Sequence, residues 1–293
     1  MNNLEYKNKY AEYLDLFNTY SEKVFSSVNT ENNLADAMKY SFFAGGKRIR
    51  PVMTLAFADI IGYSVEKVLP YAFSLECIHT YSLIHDDLPA LDNDVLRRGN
   101  PTNHVKFDEA TAILAGDALL NFAYEHILEN IETPIQIKAL KSLAEYSGYS
   151  GMLTGQKSDM EMEKSGGDEK TLYFIHENKT CKLLTIPFLV PAILLDNEDL
   201  IENAKNFGYV TGLIFQFADD LLDVLKSQDE TGKSSGKDFT AGKLTSVKLF
   251  GVDGVKAKIN EMKLKAQNIL KSIDNSGFLQ CFISSITEWI YEN

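Results

Sequence analysis

Apolar residues recur along this chain at intervals of three and four, while alternation with a period of two is scarce. In "NLEYKNKYAEYLDLFNTYSEKVFSSV" the stripe runs through Tyr10, Tyr13, Leu14 and Phe17, which is the spacing of one helical face. "PVMTLAFADIIGY" opens on Pro51, suited to a first helical turn because the N–H it lacks would have no partner there. The same spacing predicts helices over 67–88, 108–129, 134–150, 171–183, 198–227 and 254–272, with "LQCFISSITEWIYE" closing the chain. Turn-forming residues gather between them in "FAGGKR", "SGGDE" and "DETGKSSGKDFTAGK". No Asn-Gly or similar turn joins two alternating runs, and no repeat of fixed period is visible. The expectation is an all-α chain forming one large bundle domain over residues 1–293.

Composition narrows the class. With 293 residues and 45% hydrophobic content the chain can bury a large core. The start, "MNNLEYKNKY", has no basic stretch leading into an apolar one, so no secretory signal is expected. The most apolar run, "LLTIPFLVPAILL" (183–195), is interrupted by Pro187 and Pro191. It also falls short of the roughly 20 residues a membrane helix needs. A soluble, cytoplasmic protein without a membrane span is expected. Cys77, Cys181 and Cys281 lie far apart in no metal-binding spacing, which fits a reducing compartment. A net charge of -12 argues against general affinity for nucleic acid. An anionic ligand remains compatible if metal ions or local basic clusters hold it, so the distribution of charge decides.

Two acidic clusters stand out. "HDDLPALDND" crowds Asp86, Asp87, Asp92 and Asp94 onto the end of an apolar helix, where the macrodipole disfavours negative charge. Ser82 and His79 share the Asp86 face, and a kink or bulge at Pro89-Ala90 is expected to swing Asp92 back beside Asp86. "QFADDLLDVL" places Asp219 and Asp223 on one helical face, beside Asp220, with Gln216 and Gly212 one and two turns back. Like charges at that spacing destabilise a helix, and the surrounding residues are apolar. Carboxylates without a nearby His or Cys pair suit hard cations, and Mg²⁺ binds through one or two carboxylates plus substrate phosphates. The pattern therefore points to two metal-bearing walls facing one phosphorylated ligand.

Basic residues appear in discrete places. "GGKRIRP" sets Lys47, Arg48 and Arg50 at the start of a helix, which is unfavourable unless an anion sits there. Arg97 and Arg98 in "LRRGNPT" either neutralise the neighbouring aspartates or hold a ligand. His79 is either a packed side chain or part of the site through its place on the Asp86 face. "NKTCK" supplies Lys179, and "TGKSSGKDFTAGK" supplies Lys233, Lys237 and Lys243 in a stretch that reads as a mobile lid or a linker.

In order along the chain, "GGKRIRP", "ECIHTYSLIHDDLPALDND", "LRRGNPT", "LAGDALL", "GLIFQFADDLLDV" and "GKDFTAGK" resemble the motifs of the trans-isoprenyl diphosphate synthases. The resemblance is greatest to bacterial farnesyl diphosphate synthases (geranyltranstransferases) and spans roughly residues 30 to 250. It implies antiparallel helices around a central cavity, a homodimer, and head-to-tail condensation of isopentenyl diphosphate with dimethylallyl or geranyl diphosphate. It implies Mg²⁺ as cofactor, about three ions per site. By motif match, Asp86 and Asp92 are expected to bind the first ions with Asp87 supporting, and Asp219 the remaining ion with Asp220 and Asp223 assisting. Arg97, Lys179, Lys233 and Lys243 resemble the residues that hold the allylic diphosphate. Lys47, Arg50, His79 and Arg98 resemble a metal-free pocket for isopentenyl diphosphate, and Thr180 and Gln216 match positions lining the reacting carbons. No triad-like nucleophile is seen, and the ionisation chemistry of this family needs none.

The family's cavity floor lies four and five residues before the first aspartate motif, here at Ser82 and Tyr81. Five helical residues rise about 7.5 Å, so a bulky Tyr81 below the metals would block long products. Farnesyl diphosphate is the expected product. Geranylgeranyl diphosphate is the alternative, because the Pro-Ala insertion in "DDLPALD" occurs in relatives of both kinds. "TEWIYEN" departs from the family in lacking basic residues near the end. A terpene cyclase would replace the second motif with an Asn/Ser/Glu pattern and lack the "GGKRIRP" pocket. A cation-binding scaffold without activity would leave the basic clusters unexplained.

Overall fold

The computed structural model describes residues 1–225, 244–274 and 276–287, with the side chains of 163–165 left out of the description. Within those residues the chain is a bundle of helices: α1 (Asn3–Ser26), α2 (Leu34–Phe42), α3 (Ile49–Ile60), α4 (Val65–Asp86), α5 (Asn103–Lys106), α6 (Glu109–Glu129), α7 (Pro134–Ser147) and α8 (Met152–Ser165). There follow α9 (Glu169–His176), a π-helical turn (Glu177–Cys181), α10 (Lys182–Leu194), α11 (Glu198–Leu225), α12 (Ser246–Leu270) and α13 (Phe278–Ser285). The all-α expectation holds. Among the described residues, no helix is long and apolar enough to cross a membrane.

Helix starts follow local chemistry. Asn2 and Glu5 form a capping box on α1, and Asp108 and Asp168 accept the backbone N–H of Thr111 and Thr171 at the starts of α6 and α9. One connected apolar core runs through the bundle. In it α4 packs along α6 and α3, while α10 lies against α11, α7 and α3. Four rings tie α1, α2, α4 and α6 together: Phe25–Phe42 at 4.8 Å, Phe42–Phe73 at 5.4 Å and Phe73–Phe122 at 5.7 Å between centroids. Each such pair adds about 0.5–1.5 kcal/mol beyond burial.

Three departures from the sequence expectations are informative. The helix read as 171–183 continues to Leu194 through Pro187 and Pro191, because α10 is buried on nearly every side and that packing outweighs two missing hydrogen bonds. A π-helical turn at 177–181 joins it to α9. The absence of hairpins is also corrected: β1 (Leu96–Arg97) and β2 (Asn100–Pro101) pair antiparallel, Leu96 opposite Pro101. Their two-residue turn is Arg98-Gly99, both at positive φ (54° and 79°), the conformation a tight hairpin requires. Arg98 is an unusual residue for that position, which hid the turn.

Candidate active site

The first acidic motif is built where α4 ends. Asp86 is its last residue, and where a kink or bulge was expected at Pro89-Ala90 the helix ends and the chain folds back over its terminus. The Asp92 N–H donates to the Asp86 carbonyl at 2.8 Å and the Asp94 N–H to the Asp87 carbonyl at 3.1 Å, filling acceptors the helix leaves open. The consequence is the anticipated one: Asp92 comes beside Asp86. Asp86 is half-buried, and burial raises its carboxyl to about 6; Lys179 opposes that shift, while Asp92 and Asp87 add to it.

Asp87 differs. It is 2% exposed, and the Arg97 guanidinium grips both its oxygens, Nε at 2.9 and 2.8 Å and Nη2 at 2.6 Å. Held in this way, the carboxylate anchors the hairpin to the motif. Arg97 correspondingly commits two of its nitrogens to Asp87.

The π-helical turn stands next to this wall. Wide turns of this kind frequently occur at functional sites, and here the turn carries Lys179 and Thr180. Lys179 is within electrostatic reach of Asp86, and its Nζ lies 2.5 Å from Oδ2 of Asp159 on α8. Gly155 makes this approach possible, since a Cβ there would sit 2.1 Å from the Lys179 backbone nitrogen. Thr180 Oγ1 donates to Gln216 Oε1 at 2.7 Å, joining the turn to α11. Gly212 and Gly208 let α11 come that close, facing Cys181 and Thr185 where a Cβ would fall within 2.5 Å of backbone.

The second acidic motif lies on α11 one turn beyond Gln216. Asp219 is exposed and Asp223 half-buried, four residues apart on one face. Asp220, by contrast, is buried and fully engaged in hydrogen bonds. Its Oδ1 accepts from Gln216 Nε2 at 3.1 Å, and its Oδ2 accepts from the Ser246 N–H at 2.6 Å and Ser246 Oγ at 2.7 Å. Burial raises its carboxyl to about 6, and His176 Nε2 lies 3.8 Å away. Asp220 therefore clamps the start of α12 onto α11. Asp220→Ala would leave three donors without their acceptor, an expected loss of about 2–4 kcal/mol in chemical unfolding, with or without Mg²⁺. Unchanged stability would show the clamp to be idle.

A separate cluster of cations forms where the loop before α3 meets α4 and the hairpin. Arg50, Arg98, Arg97 and Arg48 all act on His79, and burial together with these charges holds its imidazole far below the ordinary value, hence neutral. Arg50 drops to about 10 through burial, and its Nε is buried with no hydrogen-bond partner. Arg98 donates to the Gly45 carbonyl and lies on Gly46, where a Cβ would be 2.5 Å from its Cζ. Lys47 is exposed. Positive groups packed this closely, with an orphaned guanidinium nitrogen among them, suit an anion.

Tyr81 is 3% exposed, and Ser82 is half-buried with its Oγ donating to the His79 carbonyl at 2.9 Å. Lys233, Lys237 and Lys243 lie outside the described residues, as does the "EWIYEN" tail. Sequence reasoning missed Asp159, Glu76, His176 and Ser246 as partners of site residues. A lone acid in an apolar helix was the one available signal for Glu76; the others depend on contacts distant in sequence.

The fold and these clusters define an all-α protein with two carboxylate walls and a distinct cationic pocket. Residues 31–276 match the family model described as polyprenyl synthetase, and the chain belongs to that family. It is a prenyltransferase with the isoprenoid synthase fold. It is 42% identical over 253 residues to a chloroplastic geranylgeranyl pyrophosphate synthase of Capsicum annuum, covering 85% of this chain and 69% of that one. It is 40% identical over 262 residues to a farnesyl diphosphate synthase of Micrococcus luteus, covering 88% and 90%. Among solved structures it superposes with TM-score 0.81 and 30% identity on a Helicobacter pylori geranyltransferase complexed with magnesium and isoprenyl diphosphate, covering 97% of each chain.

Proposed function

We propose that the chain acts as one polyprenyl synthase domain over 1–293 that condenses isopentenyl diphosphate with dimethylallyl or geranyl diphosphate. Farnesyl diphosphate is the product, with geranylgeranyl diphosphate the alternative, since relatives of both names align with the chain. One observation carries the reading: cations gather around His79 and Arg50, whose buried Nε has no partner, while carboxylates gather around Asp86, so two anions can be held differently. The homodimeric state and a cytoplasmic setting are part of the same proposal.

Among the described residues no three of His, Cys, Asp or Glu converge as a ready-made metal cage. The donors present, Asp86, Asp92, Asp219 and Asp223, are all oxygen ligands in two sets, which fits Mg²⁺ shared with a diphosphate. About three such ions, when bound, would neutralise the charge that develops on the departing diphosphate. Asp87 anchors the hairpin beside the first set through Arg97, and Asp220 ties Gln216 and the start of α12 to the helix that carries the second. The Lys179 ammonium, fixed by Asp159, faces the same charge, with Arg97 beside it. The Thr180–Gln216 pair presents fixed dipoles to the allylic carbons as the C–O bond breaks. Lys47, Arg50, His79 and Arg98 hold the second diphosphate while its alkene attacks. The proton lost afterwards passes to the released diphosphate, so no protein base is needed.

Incubation with isopentenyl and geranyl diphosphates plus Mg²⁺, then chromatography of the dephosphorylated products, tests this. Farnesol supports the proposal, geranylgeraniol shifts the product within the family, and no condensation removes the reading. Excess EDTA is expected to bring turnover to background, with Mg²⁺ restoring it.

A further inference from the structure

Glu76 is the one acid in the middle of α4's apolar stretch; it is 2% exposed, and its Oε1 lies 2.6 Å from Nη1 of the buried Arg48. Such a pair seldom adds net stability over apolar packing, so it calls for another explanation. Arg48 is held throughout its length. It adopts φ 50° just before α3, its Nη2 donates to the Phe42 carbonyl, and its guanidinium lies 5.1 Å from the Phe42 ring centroid. By position in "GGKRIRP" it looks like a third cation for an anionic ligand, yet its side chain is turned into the fold.

The residues on either side behave differently. Lys47 is exposed, with its carbonyl held by the Tyr10 hydroxyl at 2.5 Å, and Arg50 keeps a buried Nε without a partner. Gly46 receives the Arg98 guanidinium. Glu76 also acts electrostatically on both Arg50 and Arg98, so a single carboxylate lies behind the whole group.

We propose that Glu76 is a positioning residue for the metal-free diphosphate pocket: by holding Arg48 inside the fold it fixes the 45–50 loop so that Lys47, Arg50 and Arg98 converge on isopentenyl diphosphate. This rests on the condensation reading above. Without the carboxylate, Arg48 becomes an unpaired buried cation, which is strongly disfavoured. It turns outward, carries the loop with it and separates Lys47 from Arg50. The reacting allylic group, held by other residues, is untouched.

The test is steady-state condensation by the full chain carrying Glu76→Gln, with Mg²⁺ and with each diphosphate varied in turn. KM for isopentenyl diphosphate is expected to rise at least ~10-fold, with KM for geranyl diphosphate within ~2-fold and kcat within ~3-fold. Glu76→Gln/Arg48→Gln replaces the ion pair by an amide pair with no buried charge, and is expected to recover most of that loss. An unchanged or lowered KM for isopentenyl diphosphate overturns the proposal. So does an equal rise for both substrates, or a double variant no better than the single one. If Glu76→Gln fails to fold, Arg48→Lys keeps the ion pair but gives up the Phe42 carbonyl; it should raise the same KM ~3-fold, and no rise overturns the proposal. A wild-type chain that condenses nothing would instead defeat the underlying reading.

Discussion

Asp86→Ala is expected to lower kcat/KM for condensation by roughly 10³-fold or more, and Asp219→Ala by a comparable factor, while both variants stay folded. The two halves of this expectation have one cause. Asp86 sits at the C-terminus of α4, where the macrodipole disfavours an anion, next to Asp92 and Asp87. Burial raises its carboxyl to about 6. A carboxyl raised in the folded state opposes folding once it ionises, so as pH rises through that value stability is lost rather than gained. Removing the group therefore leaves stability unchanged or improved at neutral pH. A cluster that costs stability without bound cations is intelligible as a site kept for binding them. Thermal unfolding beside Mg²⁺-dependent turnover separates the outcomes. Near-normal turnover in Asp86→Ala would remove the ligand assignment, and a fall in stability would make the cluster structural. Asp219→Ala supplies the contrast with Asp220→Ala: the exposed neighbour should lose activity and keep stability, whereas the buried one should lose stability.

What could be read from the sequence was whatever depended on periodicity or short spacing. α1, α4, α6, α7 and α11 were visible because a continuous apolar stripe outweighs local irregularities. The Asp219/Asp223 face followed from i, i+4 geometry, and the return of Asp92 from Pro89 three residues before it, with the helix ending where a kink or bulge was expected. α2 was missed because nine residues without a side-chain cap give little signal. α8 was missed because "GQKSDMEMEK" is polar around much of its circumference, and Gly155 reads as a breaker when its purpose is contact with Lys179. The partners of Asp87, Asp220 and Arg48 were hidden for a different reason. Arg97, Ser246 and Glu76 lie 10, 26 and 28 residues away, and no periodicity spans such distances. Chemistry-bearing residues were therefore legible as types in motifs. Which of them hold others in place depends on packing between distant segments.

Tyr81→Ala is expected to shift the main product from farnesyl to geranylgeranyl diphosphate, and Tyr81→Phe to leave it unchanged. Tyr81 lies five residues before Asp86, about 7.5 Å along a helix, and its phenol is pushed up by burial, by Tyr124 of α6 and by the Asp86 charge. It thus feels the first acidic motif from one side and α6 from the other. The seam around it is tight: its ring centroid is 5.8 Å from that of His85, whose Nε2 lies 3.0 Å from the Ile113 carbonyl. Gly116 lets the ring approach, since a Cβ there would fall 2.1 Å from that nitrogen unless the His85 side chain moved. Neighbours so confined cannot close over the space an alanine leaves, so the variant should lose about 2–4 kcal/mol of stability. If Tyr81 is the floor, a longer chain fills that void, and adding geranylgeranyl diphosphate should restore part of the thermal stability. A destabilised Tyr81→Ala that still makes farnesyl diphosphate would show Tyr81 to be core packing between α4 and α6, and would move the floor to another side chain. The hydroxyl is not the stop in either case, because length is limited by the volume of the ring, which phenylalanine retains.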